Sequence, residues 1–348
     1  MKRVHTHAPL NAETAPAALD GALTPTEVFF ARNHGPVPEA LGALRVDGLV
    51  ERPLELSVAE LRERFASREV VATLQCAGNR RQGLIAVREI PGEVPWGAGA
   101  IGTARWEGVA LADVLAEARP LPEARHVGFA SVDVSQEAVP PQPYGASIPR
   151  GKAERPEVLL AWGMNGAPLP AGHGGPLRVV VPGYIGARSV KWVERIELRA
   201  EPWDGYFQAT AYRLLAPGER PAPGAGIALG EVPLTADILA PGDGARVAAG
   251  EVGVSGYAFA SGGRHVIRVD VTADGGASWT QAELLDDLGP WAWRRWRARV
   301  TLAPGEHELA VRAWDSAATA QPEHPASLWN PKGYVNHAWG RVRVSAAP

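Results

Sequence analysis

The spacing of apolar residues predicts different elements in the two halves of the chain. In the first half, residues 56–68 and 111–118 carry apolar side chains at helical intervals. Three successive valines at 179–181, ended by Pro182 and Gly183, are typical of a buried strand. This mixture predicts an α+β fold for the first half.

The second half shows the period of strands. Ile267, Val269 and Val271 alternate with polar residues, which predicts one buried face, and Asp274-Gly275 offers a hairpin turn. Further short strands are expected at 254–259, 291–300, 308–314 and 341–344. Strands at this spacing over about 115 residues predict an all-β sandwich of immunoglobulin type.

A connector rich in proline and glycine separates the two patterns at residues 216–233. We therefore predict a domain at 1–230 and a second at 231–348. A length of 348 residues agrees with two domains.

Composition narrows the class of protein. The net charge of −3 gives no basic field for nucleic acid or an anionic membrane. No apolar run approaches the roughly 18 residues of a membrane span, and the N-terminus lacks the apolar core of a secretory signal. These features predict a cytoplasmic protein that binds neither nucleic acid nor membrane.

The chain has a single cysteine, Cys76. One cysteine cannot form an internal disulfide, a Cys-based zinc site, an iron–sulfur cluster or a covalent c-type haem. Because Cys76 precedes Arg80 and Arg81, its thiol is predicted to ionise easily and to suit a transition metal. A buried structural cysteine is an equally good interpretation of the local sequence.

Other candidate motifs leave alternatives open. Several cations lie among glycines and aromatics, a pattern that suits oxyanions but is also met as solvated surface charge: Arg32, Arg80, Arg81, Arg105, Arg188 and Lys191. The glycine string at 97–102 matches a dinucleotide fingerprint, but Pro95 is a poor strand residue, so a plain loop is favoured. His5 and His7 are expected in a mobile tail.

Several ordered motifs resemble the sulfite oxidase family of molybdenum enzymes, closest to its plant-type, haem-free branch. The resemblance runs from about residue 10 to the end. It rests on residues 10–13 (LNAE), 29–38 (FFARNHGPVP), 74–81 (LQCAGNRR), 96–102 (WGAGAIG), 173–178 (HGGPLR), 182–192 (PGYIGARSVKW), 274–276 (DGG), 291–294 (WAWR) and 329–330 (WN). It implies a mixed α/β molybdopterin-binding domain followed by a sandwich-type dimerisation domain, with a molybdenum–molybdopterin cofactor and no haem.

The resemblance also implies roles for individual residues. Cys76 would bind molybdenum through its sulfur, beside the two sulfurs of the pterin dithiolene. The pterin and its phosphate would be held by Arg32, Asn33, His34, His173, Arg178, Arg188, Ser189 and Lys191, with Asp133 and His126 as weaker candidates. The substrate pocket would be lined by Arg32, Arg81, Trp96 and Tyr212.

One position departs from the family pattern. A lysine, Lys332, stands where the resemblance implies a substrate-binding arginine after the Trp-Asn motif, so Lys332 is also expected at the substrate site; it keeps the positive charge but not the bidentate fork. The leading hypothesis is oxidation of sulfite to sulfate by a homodimer, with electrons passing to oxygen or a separate redox partner. A molybdenum reductase of nitrate, sulfoxide or another oxyanion is the alternative, and a two-domain binding protein is a third.

Overall fold

The first half of the chain is built mainly from strands, in a computed structural model that describes residues 1–138 and 140–348. The strands are β1 (Lys2–His7), β2 (Leu10–Thr14), β3 (Ala31–Arg32), β4 (Leu44–Gly48), β5 (Leu54–Leu56), β6 (Ser67–Gln75), β7 (Ile101–Ala110), β8 (His126–Ser135), β9 (Gln142–Pro149), β10 (Leu159–Met164), β11 (Ala167–Pro168), β12 (Arg178–Val180), β13 (Val193–Arg199), β14 (Arg213–Leu214) and β15 (Ile227–Ala228). The helices are α1 (Val58–Arg64), α2 (Arg81–Ile85), α3 (Leu111–Ala118) and α4 (Arg150–Ala153).

Two five-stranded sheets form the body of this half. One has β11, β10, β7 and β6 in order, with β12 added beside β10, and all its pairs are antiparallel. The other has the order β5-β4-β13-β8-β9, in which only β13 and β4 run parallel. A smaller sheet, β1-β2-β3, lies at the N-terminus. His5 and His7 therefore belong to a paired strand, and their expected place in a mobile tail is wrong.

Both predicted helices are present, but only one of them has the predicted limits. Helix α3 coincides with the predicted 111–118 and buries Leu111, Val114 and Leu115. Helix α1 is shorter than the predicted 56–68. Ser57 begins it with a reciprocal capping box, accepting from the Glu60 N–H at 3.1 Å while its own N–H donates to Glu60 at 2.8 Å. It ends at Arg64, and the chain continues into strand β6.

The second half is a sandwich of two sheets. Its strands are β16 (Thr235–Ala240), β17 (Ala245–Ala248), β18 (Gly250–Phe259), β19 (Val266–Thr272), β20 (Thr280–Gln281), β21 (Glu283–Leu284), β22 (Arg294–Leu302), β23 (Gly305–Asp315) and β24 (Gly340–Ala347). The sheets have the orders β16-β18-β22-β21 and β17-β24-β23-β19-β20. Side chains of both sheets meet in one apolar core that includes Val254, Val269, Trp296 and Val311.

Strand β19 departs from the predicted alternation. The register with β23 shifts between Val266 and Arg268, and this bulge turns Ile267 outward, leaving it 49% exposed. Asp270, predicted on the polar face, is fully buried and pairs with Arg268 and Arg312. The simple period of two is therefore wrong for this strand.

The two halves share a hydrophobic core. Tyr257, Phe259 and Trp293 of the sandwich belong to the same buried cluster as Leu177 and Val181 of the first half. Residues 97–100 of the glycine string form the loop that was favoured over the dinucleotide motif, and residues 101–102 already belong to β7. None of the described helices has the length and apolar character needed to cross a membrane.

Candidate active site

A cavity of about 720 Å³, including its mouth, opens beside the single cysteine. Residues far apart in sequence converge on its wall from β3, the turn after β6, β8 and the segment 173–192. The predicted site residues that line it are Arg32, Asn33, His34, Cys76, Asp133, His173, Arg178, Ser189, Lys191 and Tyr212. The structure thus brings most of the predicted residues together at one place.

Cys76 lies in a tight turn directly after β6 and is 6% exposed. Its sulfur accepts a hydrogen bond from the Gly78 N–H at 3.4 Å. Burial raises the pKa of the Cys76 thiol, and the opposing charges of Arg81 and Arg32 do not compensate. The prediction that the thiol ionises easily is therefore wrong for the cofactor-free chain: removal from water outweighs the neighbouring cations.

One part of the site concentrates buried positive charge without acid partners. The side chains of Arg178, Arg188 and Lys191 donate to backbone carbonyls or to Asn33, and none of them forms an ion pair with a carboxylate of the described residues. The Arg178 guanidinium donates to the backbone carbonyls of His173 and Ser189, at 2.7 and 2.9 Å. Asp133 lies on the same wall but bonds to Ser131.

Burial shifts these groups toward their neutral forms. It lowers the pKa of Arg178 to about 9 and moves that of Lys191 well below its usual range. Burial, with Lys2 and Lys191 nearby, lowers the pKa of His173 to about 3. The charge of Asp133 does not offset the burial of Lys191, and cations removed from water without an ion-pair partner are unfavourable, so this part of the site is suited to an anionic ligand such as a phosphate.

Arg188 lies behind the wall. Its guanidinium donates to the Leu229 carbonyl at 2.7 Å, while one terminal nitrogen, Nη1, is buried with no partner. An unpaired buried donor of this kind also fits a bound polar group. His126, the weaker candidate, is placed at the start of β8 away from the cavity wall, so the structure does not support it.

A hydrogen-bonded chain leads from the cavity to solvent. The Tyr212 hydroxyl lies 2.7 Å from His34 Nε2, and His34 Nδ1 lies 2.8 Å from Glu137. Burial, together with the charge of Arg32, lowers the pKa of His34 to about 4, so its ring is neutral at pH 7. Because a carboxylate only accepts, Nδ1 carries the proton and Nε2 accepts from Tyr212.

Arg32 also contacts the hydrogen-bonded chain formed by Tyr212, His34 and Glu137. It contacts Glu137 at 3.3 Å. Burial works against its charge, but Tyr212 and Glu137 outweigh burial and raise the pKa of Arg32 above its usual value. Arg32 is therefore a fixed cation on the wall, beside Tyr212.

Arg81 and Lys332 form a separate group next to the cavity wall. Both pair with Glu93, Arg81 at 3.2 Å. The Arg81 guanidinium lies 5.2 Å from the ring centroid of Tyr334, which stacks on Tyr212 with a centroid distance of 5.5 Å. Neither cation is part of the wall itself.

Trp96 is fully buried and does not line the cavity. Its ring packs edge-on against His5 of β1 at a centroid distance of 4.9 Å. The next residue, Gly97, donates its N–H to Glu13 at 2.7 Å. The N-terminal sheet thus fixes the Trp96 loop, and a place for Trp96 in the substrate pocket stays a prediction.

Sequence reasoning missed three residues that complete the site: Glu93, Glu137 and Tyr334. Glu93 stands three residues before Trp96, and Tyr334 two residues after Lys332, so both lie within reach of recognised motifs. Glu137 follows Asp133 in a loop whose sequence carries no comparable signal. Only the fold shows that Glu137 meets Arg32 and His34, which are more than 100 positions away in the chain.

A buried cysteine beside a cavity suited to an anion, in a domain followed by a β-sandwich, agrees with an oxidoreductase that binds molybdopterin, and the family models identify this class. The chain matches the description "Oxidoreductase molybdopterin binding domain" at residues 34–207 and "Mo-co oxidoreductase dimerisation domain" at residues 227–347. The chain belongs to the sulfite oxidase family of molybdenum oxidoreductases.

Individual relatives agree with this assignment. The sulfite oxidase of Gallus gallus is 45% identical over 97% of this chain and 77% of its own length. That of Arabidopsis thaliana is 39% identical over 98% of this chain and 93% of its own length. The chain spans only 66% of the sulfite oxidase of Mus musculus.

Two further proteins are more distant. The nitrate reductase of Hordeum vulgare is 36% identical over 93% of this chain, which spans 39% of that protein. The crystal structure of the sulfane dehydrogenase SoxCD from Paracoccus pantotrophus superposes with a TM-score of 0.84 at 26% identity, covering 100% of this chain and 90% of that one. The α+β fold followed by a dimerisation domain and the oxidoreductase class are thereby confirmed.

Proposed function

We propose that this oxidoreductase converts sulfite and water to sulfate, releasing two protons and two electrons to an external acceptor. The observation that carries the proposal is the convergence of Cys76, Arg32 and Tyr212 at a cavity that is also lined by two cations without an ion-pair partner among the described residues, Arg178 and Lys191. Both sulfite and a pterin phosphate are anions, and both are attracted by positive charge on the wall.

The residues around Cys76 suit the cofactor that the family implies. The Cys76 sulfur would hold molybdenum, while Arg178, Lys191 and the unpaired nitrogen of Arg188 would hold the pterin and its phosphate. When bound, the molybdenum–pterin group supplies oxygen transfer and accepts the two electrons. Arg32, fixed by Glu137, attracts the sulfite anion to the Cys76 side of the cavity.

Tyr212, His34 and Glu137 provide a route for the released protons. Tyr212 is 4% exposed, whereas the Glu137 side chain is 43% exposed, so the chain links the buried site to solvent. A neutral His34 accepts a proton at Nε2 and passes one on from Nδ1 to Glu137. Proton release therefore needs no opening of the cavity.

Metal analysis combined with dye reduction tests the proposal. The purified protein is expected to contain about one molybdenum per chain and to reduce ferricyanide when sulfite is added. Cys76→Ser should lose the sulfite-dependent dye reduction, and His324→Gln, at an exposed position, should keep both properties. Wild-type protein loaded with molybdenum but inactive toward sulfite would contradict the proposal.

Reduction of nitrate is the second candidate, because Lys332 departs from the arginine of sulfite oxidases. Lys332 is paired with Glu93, however, and keeps a positive charge at this position. Identity to the barley nitrate reductase is also lower than to the sulfite oxidases. A reduced viologen dye with nitrate separates the two activities: we expect no dye oxidation.

Three properties extend the proposal to the whole protein. The chain carries a dimerisation domain, and we propose that it forms a homodimer through residues 227–347. Light scattering at micromolar concentration should give the mass of two chains.

The electron acceptor is oxygen or a separate redox protein, and peroxide formed in step with sulfite oxidation would identify oxygen. We place the protein in the cytoplasm, which cell fractionation would test.

A further inference from the structure

A carboxylate already occupies the space between two cations assigned to the substrate anion. The two oxygens of Glu93 pair with different partners, Oε1 with Lys332 and Oε2 with Arg81. We infer that Glu93 is an internal competitor of the substrate, whose carboxylate holds an oxyanion position that an entering oxyanion must take over. This inference rests on the proposed function and names Glu93 as a residue that sets the affinity of the substrate site for anions.

Arg81 cannot move away to meet an anion elsewhere. Its Nε donates to the carbonyls of Lys332 and Gly333, at 3.0 and 3.2 Å, and one terminal nitrogen donates to the Val94 carbonyl at 2.7 Å. The guanidinium also lies so close to Gly78 that a Cβ there would come within 2.7 Å of it. The remaining nitrogen, Nη2, is the one that meets Glu93.

Glu93 and Lys332 are reachable from solvent, whereas Arg81 is not. Their side chains are 16% and 19% exposed, against 3% for Arg81. A small anion can thus approach the pair from outside, and Glu93 can turn away toward water. A carboxylate and a sulfur oxyanion offer the same acceptor oxygens to these two donors, so the exchange needs no rearrangement of Arg81.

The charge balance gives the direction of the effect. Two cations and one carboxylate leave the group with one net positive charge, and removal of the carboxylate charge would leave two. An incoming dianion is then attracted more strongly and has no competitor for the donors. Glu93 therefore weakens anion binding, which also favours release of the sulfate product.

Sulfate binding provides the direct test. Calorimetry on the purified protein should give a dissociation constant for sulfate that is about tenfold lower in Glu93→Gln than in the wild type. The KM for sulfite should fall in the same direction. Glu89→Gln removes the same charge from an exposed position four residues earlier, and should change neither value by more than about twofold.

The direction of the change in the sulfate dissociation constant tests whether Glu93 competes with the anion. Weaker sulfate binding in Glu93→Gln would mean that Glu93 only positions Lys332, and an unchanged constant would mean that no anion enters here; either result overturns the inference. If Glu93→Gln does not fold, Glu93→Asp retracts the carboxylate and should still tighten binding, by about two- to threefold. A wild type that binds sulfate but does not oxidise sulfite would defeat the proposed function alone.

Discussion

Some side chains of the cavity are placed to bind a ligand, and this placement lowers the stability of the cofactor-free protein. Lys191 is partly buried beside Arg178 and forms no ion pair with any described carboxylate, while Lys152 is also partly buried but pairs with Glu157 at 2.6 Å. Lys191→Met should raise the free energy of unfolding of the cofactor-free protein by about 1 kcal/mol, because a poorly compensated charge is removed. Urea unfolding measures this change, and molybdenum content should fall in the same variant.

Lys152→Met is the matched control, since it should lower stability by leaving Glu157 without its partner. Equal destabilisation by both substitutions would show that the charge of Lys191 is well compensated inside the chain.

Acidification should destabilise the site through His34. Its pKa of about 4 in the folded chain lies below the ordinary value of 6.5, so the unfolded state takes up a proton in this window. The free energy of unfolding is then highest above pH 6.5 and falls as the pH drops toward 4, by about 3 kcal/mol from this group. Urea titrations of the cofactor-free protein between pH 7 and 4.5 measure the slope.

His34→Gln should remove that part of the slope, whereas His324→Gln, whose side chain is 68% exposed, should leave it unchanged. A slope that persists in His34→Gln would assign the pH dependence to other groups.

Residue identity allowed part of the site to be predicted. Cys76, Arg32 and His34 stand in short motifs that the sequence displays directly, and each lines the cavity. Glu93 and Glu137 were missed because acids are common on surfaces and gain significance only from the cations they meet. The ionisation of Cys76 was mispredicted since the sequence shows its charges but not its burial.

Strand β19 offers a test at the level of a single element. The bulge after Val266 exposes Ile267, whereas Val269 is fully buried in the sandwich core. Ile267→Thr should therefore change the free energy of unfolding by less than about 0.5 kcal/mol. Val269→Thr buries a hydroxyl and should lower it by about 1–3 kcal/mol. Comparable losses in chemical unfolding would mean that the strand keeps a regular alternation.

Elements were predicted best where local and tertiary signals agree. Helix α3 matches its predicted limits because its apolar face has a regular helical spacing and packs on the core. The predicted helix wrongly included residues 65–68, because α1 ends at Arg64. Strand β6 begins at Ser67, where pairing with Val109 of β7 starts, and the local sequence does not show this pairing. Bulges such as that in β19 also depend on the neighbouring strand and leave no local signal.

A buried ion pair contributes to the association of the two halves, beside their shared apolar core. Arg80, in the turn that carries Cys76, contacts Asp237 of β16 at 2.8 Å and donates to the carbonyls of Ala338 and Trp339. Asp237→Ala leaves the Arg80 charge buried and unpaired, and should lower the free energy of unfolding by about 3–5 kcal/mol.

Asp20→Ala removes a comparable contact to Arg295, but that carboxylate is 63% exposed, so the loss should be about 1 kcal/mol or less. If Asp237→Ala unfolds no more easily than Asp20→Ala, the Arg80–Asp237 pair contributes no more to coupling the halves than an exposed ion pair does.

Domain order and fold class could be predicted from the change in apolar spacing near residues 216–233. The association of the halves could not, because the contacts that join them link positions far apart in the chain, as Arg80 with Asp237 and the shared core around Tyr257 and Trp293 do. The predicted limit at residue 230 stays a prediction.

The central claim is that the Cys76 sulfur binds molybdenum. X-ray absorption at the molybdenum edge counts the sulfur atoms around the metal. The account predicts that Cys76→Ser, if it retains any molybdenum, shows one sulfur fewer than the wild type, with the dithiolene pair unchanged. An identical sulfur count in the two proteins would contradict it.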